Sequence, residues 1–234
     1  MPRVVVLGTG TGVGKTHVSC QLCSALAALR PAARVAGLKP VETGFVEPSV
    51  SDARRLEAHA RDSSPPRPHP FLAFPEPISP HLAARRARHP LALAPIVEWV
   101  ERWEAASPEG DERWCVVETA GGAFSPLAPG LSNVELARAL DPAVWLLVAP
   151  DALGVLHDVS ATLRALAALG RSPDLVVLSA ARGRDASTGT NAAELRALGL
   201  ADPIAVFDDG PSETAARALA AALLRHAATA QPTP

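Results

Sequence analysis

The 234-residue chain sets 22 Lys and Arg against 24 Asp and Glu, for a formal net charge of −2 at pH 7, which gives no electrostatic basis for binding nucleic acid or an anionic membrane. Hydrophobic residues make up 48% and mean hydropathy is +0.14, which excludes a disordered chain, while no apolar run approaches the length of a membrane span. Three cysteines are too few for a disulfide framework, and the sequence enters an apolar run with no charged-then-apolar leader, so the cytoplasm is the expected compartment.

The first element is a strand, Arg3-Val4-Val5-Val6-Leu7, followed by Gly8-Thr-Gly-Thr-Gly-Val-Gly-Lys15-Thr16. Glycines that curl inward N–H groups, followed by a helix N-terminus, make a cradle for phosphate. In such a cradle Lys15 reaches the terminal phosphates and the Thr16 hydroxyl reaches Mg²⁺. The usual spacing would need Gly at position 9, which is Thr9; from Gly8 the gap to Gly-Lys-Thr is one residue longer. The dinucleotide pattern fails as well, so a mononucleotide phosphate site is expected. A helix from Thr16 to Leu29 follows, with Cys20 and Cys23 read as core residues and not as metal ligands.

Arg34–Leu38 reads as a second strand that ends at Lys39-Pro-Val-Glu-Thr43-Gly44. Only two lysines occur in the chain, Lys15 and Lys39; the remaining basic residues are Arg. Lys supplies a compact point charge that a guanidinium cannot imitate, which marks Lys39 before any motif does. Asp52 opens a helical stretch to about Arg61. The Pro-rich segment 65–80 reads as a long irregular loop, and helices are expected at 82–88 and 95–106, with Trp99 and Trp103 in the core. Arg113–Glu118 is the third strand and ends on a carboxylate, where phosphate-loop enzymes place a Mg²⁺ partner. Strands at 143–149, 175–180 and 204–207 follow, with helices after Asp151-Ala-Leu-Gly154 and over about 190–198 and 212–226. The alternation predicts a single-domain, doubly wound, mostly parallel α/β sheet of the P-loop NTPase type, with helices on both faces. It spans 1–229 and leaves 230–234 as a frayed tail.

Ligands of such sheets bind beyond the carboxyl ends of the strands, so the phosphate loop, Lys39 with Thr43, Asp52 and Glu118 should share one rim. In these motifs and their order (8–16, Lys-Pro-Val-x-Thr-Gly at 39–44, Ser-Asp at 51–52, Ser-Pro-His at 79–81, Glu-x-Ala-Gly-Gly at 118–122, Leu-Gly at 153–154) the chain resembles the dethiobiotin synthetase family over nearly its whole length. The resemblance implies a ligase that closes a cyclic urea from 7,8-diaminononanoate and CO₂, with ATP as co-substrate, through a carbamate and a carbamic–phosphoric anhydride. It implies that Gly12, Val13, Gly14, Lys15, Thr16 and His17 hold the nucleotide together with Asp52, Glu118, Thr119, Ala120 and Gly121. Thr16, Asp52 and Glu118 would hold Mg²⁺, and Lys15 and Lys39 would be catalytic. Thr11, Thr43 and Gly122 would contact the substrate, with Leu153, Gly154 and Val155 reaching it from the second copy of a homodimer.

The chain departs from the family at three places. Thr119 stands where Gly is usual, His157 stands near the expected carboxylate contacts, and the Asn-Asp pair that reads adenine is replaced within Ser179-Ala180-Ala181-Arg182. Looser selection among nucleoside triphosphates is therefore expected. The competing reading is a switch or partitioning ATPase that acts through protein partners; a GTPase would need an Asn-Lys-x-Asp motif, and no Asn-Lys occurs. A cobyrinate-type amide ligase would need a glutaminase domain for which the chain has no room.

Overall fold

The computed structural model describes residues 2–45, 50–61, 68–106, 110, 112–181 and 183–229. The expected tail at 230–234, Arg182 and residues 65–67 of the Pro-rich segment lie outside them. Six strands form one parallel sheet: β1 (Arg3–Gly8), β2 (Arg34–Leu38), β5 (Arg113–Glu118), β8 (Val144–Pro150), β9 (Leu175–Ser179) and β10 (Ala205–Phe207), in the order β10-β9-β8-β1-β5-β2. These are the six strands that the β-branched runs predict.

Each central strand is apolar on both sides because both sheet faces are covered. Val4 and Val6 of β1 pack with α1 (Lys15–Leu29) and α8 (Glu213–Thr229); Val5 and Leu7 pack against α4 (Leu93–Ala105) and α5 (Asn133–Ala139). Trp99 and Trp103 are buried in the second cluster, and Cys20, Cys23 and Cys115 are free and buried, as a core role requires. A third cluster seats α6 (Val155–Ala168) and α7 (Asn191–Ala197) beyond β8 and β9.

Three features differ from expectation. The Pro-rich segment is not wholly irregular: β4 (Leu72–Phe74) pairs in parallel with β3 (Val41–Thr43), with Val41 opposite Leu72. Two three-residue strands carry no readable periodicity, but together they continue the chain past β2 and bring 68–74 beside 39–44. The helix begun at Asp52, α2 (Asp52–His59), stops before Arg61, whose backbone bridges Val35. An unforeseen hairpin of β6 (Pro126–Ala128) and β7 (Leu131–Ser132) leads into α5. Ser79-Pro80-His81 begins α3 (Pro80–Arg86), with Ser79 as N-cap and Pro80 in the first turn, where a missing N–H costs nothing.

Candidate active site

Three helices start on the rim above the strand ends, and they are capped differently. α1 follows Gly14, has no side-chain cap and has no acidic residue in its first turn, so its N-terminal N–H groups remain for an anion. The α2 start is filled from within: Ser51 Oγ accepts the Arg54 N–H, and Glu42 accepts the N–H groups of Asp52 at 2.7 Å and Ala53 at 3.2 Å. α6 follows Gly154 without a side-chain cap, but the Leu153 N–H just before it donates to Asp185 at 2.8 Å. Backbone N–H bonds hold the Asp185 carboxyl at about 2.

The phosphate loop is fixed by close backbone approach. Gly14 has φ 94°, and a Cβ on it would fall 2.3 Å from Ser179 Oγ; a Cβ on Gly122 would meet the Gly10 Cα at 3.2 Å and the Thr9 carbonyl at 3.3 Å. The loop and the turn after β5 therefore touch backbone to backbone. That turn is held from beneath by Asn133, whose amide donates to the carbonyls of Ala120 at 2.6 Å and Gly122 at 2.8 Å. Thr119 turns its hydroxyl onto the Val6 carbonyl at 2.9 Å, which accounts for a side chain being tolerated at this position.

Polar groups from α1, from the end of β2 and from the start of α2 gather around one carboxylate at the end of β5. Glu118 is fully buried. Its Oε1 accepts from the Thr16 hydroxyl at 2.8 Å and from Lys39 Nζ. Lys39 Nζ also reaches Asp52 Oδ2 at 3.2 Å. Burial alone would lower the pKa of the Lys39 ammonium, but Glu118 and Asp52 outweigh it, and the pKa is raised above its usual value. For Glu42, burial raises the pKa and outweighs the two backbone N–H groups that hold the carboxylate. Lys15 folds back over the loop and donates to the Gly10 carbonyl at 3.2 Å.

A cleft of about 260 Å³ collects Thr11, Gly12, Gly14, Lys15, Thr16, His17, Lys39, Thr43, Asp52, Glu118, Ala120 and Gly121 of the expected residues, and adds Glu42. Val13 and Thr119 lie buried beneath it, and Gly122 backs onto Gly10. Leu153, Gly154 and Val155 do not line it; Leu153 is 86% exposed at the head of α6, and His157 is exposed on the first turn. The cleft shares Thr16 and His17 with a larger groove of about 670 Å³, which continues past Gln21 to Asp209, Gly210 and Pro211.

The sequence reading assigned no role to Glu42, His69 or Asn133. Each acts on another residue's backbone: Glu42 on Asp52 and Ala53, His69 on Lys39, Asn133 on Ala120 and Gly122. A signal was available for Asn133, which is the first residue inside a Ser132-x-x-Glu135 capping box.

The parallel sheet, the glycine loop feeding an uncapped helix and the Lys-Thr-carboxylate cluster together define a P-loop nucleotide-binding protein. A family model described as an AAA domain matches residues 2–207. An ATP-dependent dethiobiotin synthetase of Anaeromyxobacter sp. (strain K) is 38% identical over 217 residues, covering 88% of this chain and 90% of its own. One from Rhodococcus jostii (strain RHA1) is 40% identical over 178 residues, covering 73% and 70%. The chain belongs to the dethiobiotin synthetase family, and its class is that of an ATP-dependent ligase of biotin synthesis. Among solved structures, a ParA family ATPase from Chlorobium tepidum TLS is 12% identical with a TM-score of 0.48, covering 97% of each chain.

Proposed function

We propose that the chain forms dethiobiotin from 7,8-diaminononanoate, CO₂ and ATP through a carbamate and its mixed anhydride with phosphate. The observation that carries this reading is the second lysine. Lys39 lies outside the phosphate loop, yet its ammonium meets the same carboxylate oxygen as Thr16. A second fixed cation beside the phosphate loop suits a reaction with a second anion to neutralise, the carbamate, next to the transferring phosphoryl group.

The residues present fit Mg²⁺. Thr16, Asp52 and Glu118 offer hard oxygens, and Glu118 Oε2 is buried with no hydrogen-bond partner among the described residues. No group of three or more His, Cys, Asp or Glu that would cage a metal exists among the described residues. That suits an ion which keeps waters and shares itself between one or two carboxylates and phosphates. When bound, the ion offsets phosphate charge.

The steps then divide as follows. One amine adds to CO₂ and loses a proton to give the carbamate. A carbamate oxygen attacks the γ-phosphorus, and the bond to the ADP oxygen breaks. The second amine attacks the carbamate carbon, phosphate departs and a further proton is lost. N–H groups of residues 12–16 hold the β- and γ-phosphates, and Lys15 follows the transferring group. Lys39 faces both the carbamate and the phosphoryl group, and Thr43 hydrogen-bonds the carbamate or an amine. Thr11 and Gly122 border the substrate. In a homodimer the α6 start of one copy receives the substrate carboxylate of the other. Because Asp185 already takes the Leu153 N–H, that task falls to Gly154 and the turn after it. We place the enzyme in the cytoplasm with its small-molecule substrates.

Phosphate release from MgATP and bicarbonate, measured with and without the diamine, tests the reading. Release should depend on the diamine. Release that ignores it would overturn the ligase mechanism and favour a switch or partitioning ATPase.

A further inference from the structure

Lys39 stands where the chain leaves the main sheet after β2 and turns toward β3. Its backbone N–H donates to a side chain: Nε2 of His69 accepts it at 3.0 Å. The His69 side chain is completely buried, and its setting fixes the ring from several directions. For Nε2 to accept, the ring proton must sit on Nδ1, and Nδ1 lies 3.7 Å from Glu57 Oε2 on α2. The ring stacks on Trp99 with centroids 5.7 Å apart and planes 29° apart. Phe71 stacks on the same indole at 5.9 Å, and Trp99 Nε1 donates to the Pro68 carbonyl at 3.0 Å. The indole thus clamps residues 68–71, and those residues deliver the imidazole to Lys39.

We infer that His69 is a positioning residue for the reaction: its neutral imidazole fixes the backbone point from which Lys39 reaches the anions. The inference rests on the reading of Lys39 given above. A lysine side chain is a flexible four-carbon stem, so the place of its ammonium depends on where its Cα is held. Misplacement by about 1 Å can cost a reaction of this kind about 100-fold. Glu57, on the helix that Asp52 begins, lies 3.7 Å from the other ring nitrogen, an electrostatic neighbour and not a hydrogen-bond partner.

The test compares His69→Leu, which keeps bulk but removes the acceptor, with His69→Gln, whose side-chain oxygen reaches about as far as Nε2. Turnover is read as dethiobiotin formed from the diamine, bicarbonate and MgATP, alongside thermal melting and Lys39→Met. His69→Leu should lower kcat at least about tenfold with KM for ATP within about twofold, His69→Gln should recover most of the loss, and Lys39→Met should be inactive. Unchanged kcat in His69→Leu, or equal loss in both His69 variants, overturns the positioning role while the Lys39 reading stands. Full turnover in Lys39→Met overturns the Lys39 reading and this inference with it. If His69→Leu fails to fold, His69→Met takes its place in the same comparison with His69→Gln.

Discussion

Above β1, β2 and β5 the rim presents Lys15, Thr16, Lys39, Asp52 and Glu118, whose side chains are bound to one another or to the loop backbone. Above β9 and β10 it presents Ala180, Ala181 and the run Asp208-Asp209-Gly210-Pro211. Ala180 spends its N–H on the Phe207 carbonyl at 2.7 Å, and Asp208 and Asp209 are exposed. The chain's two asparagines are committed elsewhere: Asn133 holds the turn at 120–122, and Asn191 donates to the buried Asp151 at 2.7 Å. One end is specified by paired charges, the other by backbone and shape. The contrast supports the proposal that binding is exacting at the triphosphate end and permissive about the base.

The sharpest way to break this contrast is at Lys39. Replacement by Arg keeps the charge but places a larger planar fork in a site where the side chain is 6% exposed. Turnover should fall roughly 100-fold, measured as dethiobiotin formed per enzyme; near-wild-type turnover would remove Lys39 from the reacting groups. Next comes Gly122→Ala, which drives a methyl against the Gly10 backbone. Overpacking of this kind costs about 1–3 kcal/mol. It should lower the melting midpoint by roughly 2–4 °C per kcal/mol and raise KM for ATP. The smallest effect belongs to the other end: exchanging ATP for CTP, GTP or UTP should change kcat/KM by less than about tenfold, since Ala180-Ala181 replace the Asn-Asp pair that would discriminate between bases. A preference for ATP of 1,000-fold or more would show that the nucleoside end carries a recognition device of its own.

Legibility in the sequence divided along the same physical line. The six long strands were readable because burial on both faces makes each a continuous apolar run. β3 and β4 were not, because three residues carry no period and their pairing spans about thirty positions of sequence. The hairpin before α5 was overlooked, although the capping box at Ser132 and Glu135 announces the helix. At the site, Lys15, Thr16, Lys39, Asp52 and Glu118 were legible because their chemistry lies in their own side chains at motif spacing. Glu42 and His69 were not, because each holds a distant backbone N–H, and no residue type or spacing advertises such a partner.

The charge census of the cleft has a consequence for how nucleotide arrives. Its two ammonium groups are outnumbered by the carboxylates of Glu42, Asp52 and Glu118, and the chain as a whole is slightly acidic. Such a surface offers no long-range pull on a polyanion, so encounter is left to unguided diffusion and attraction begins only at contact with the loop N–H groups. The association rate constant for MgATP, followed by stopped flow, should accordingly stay nearly flat as ionic strength rises, where an electrostatically steered site would lose speed steeply.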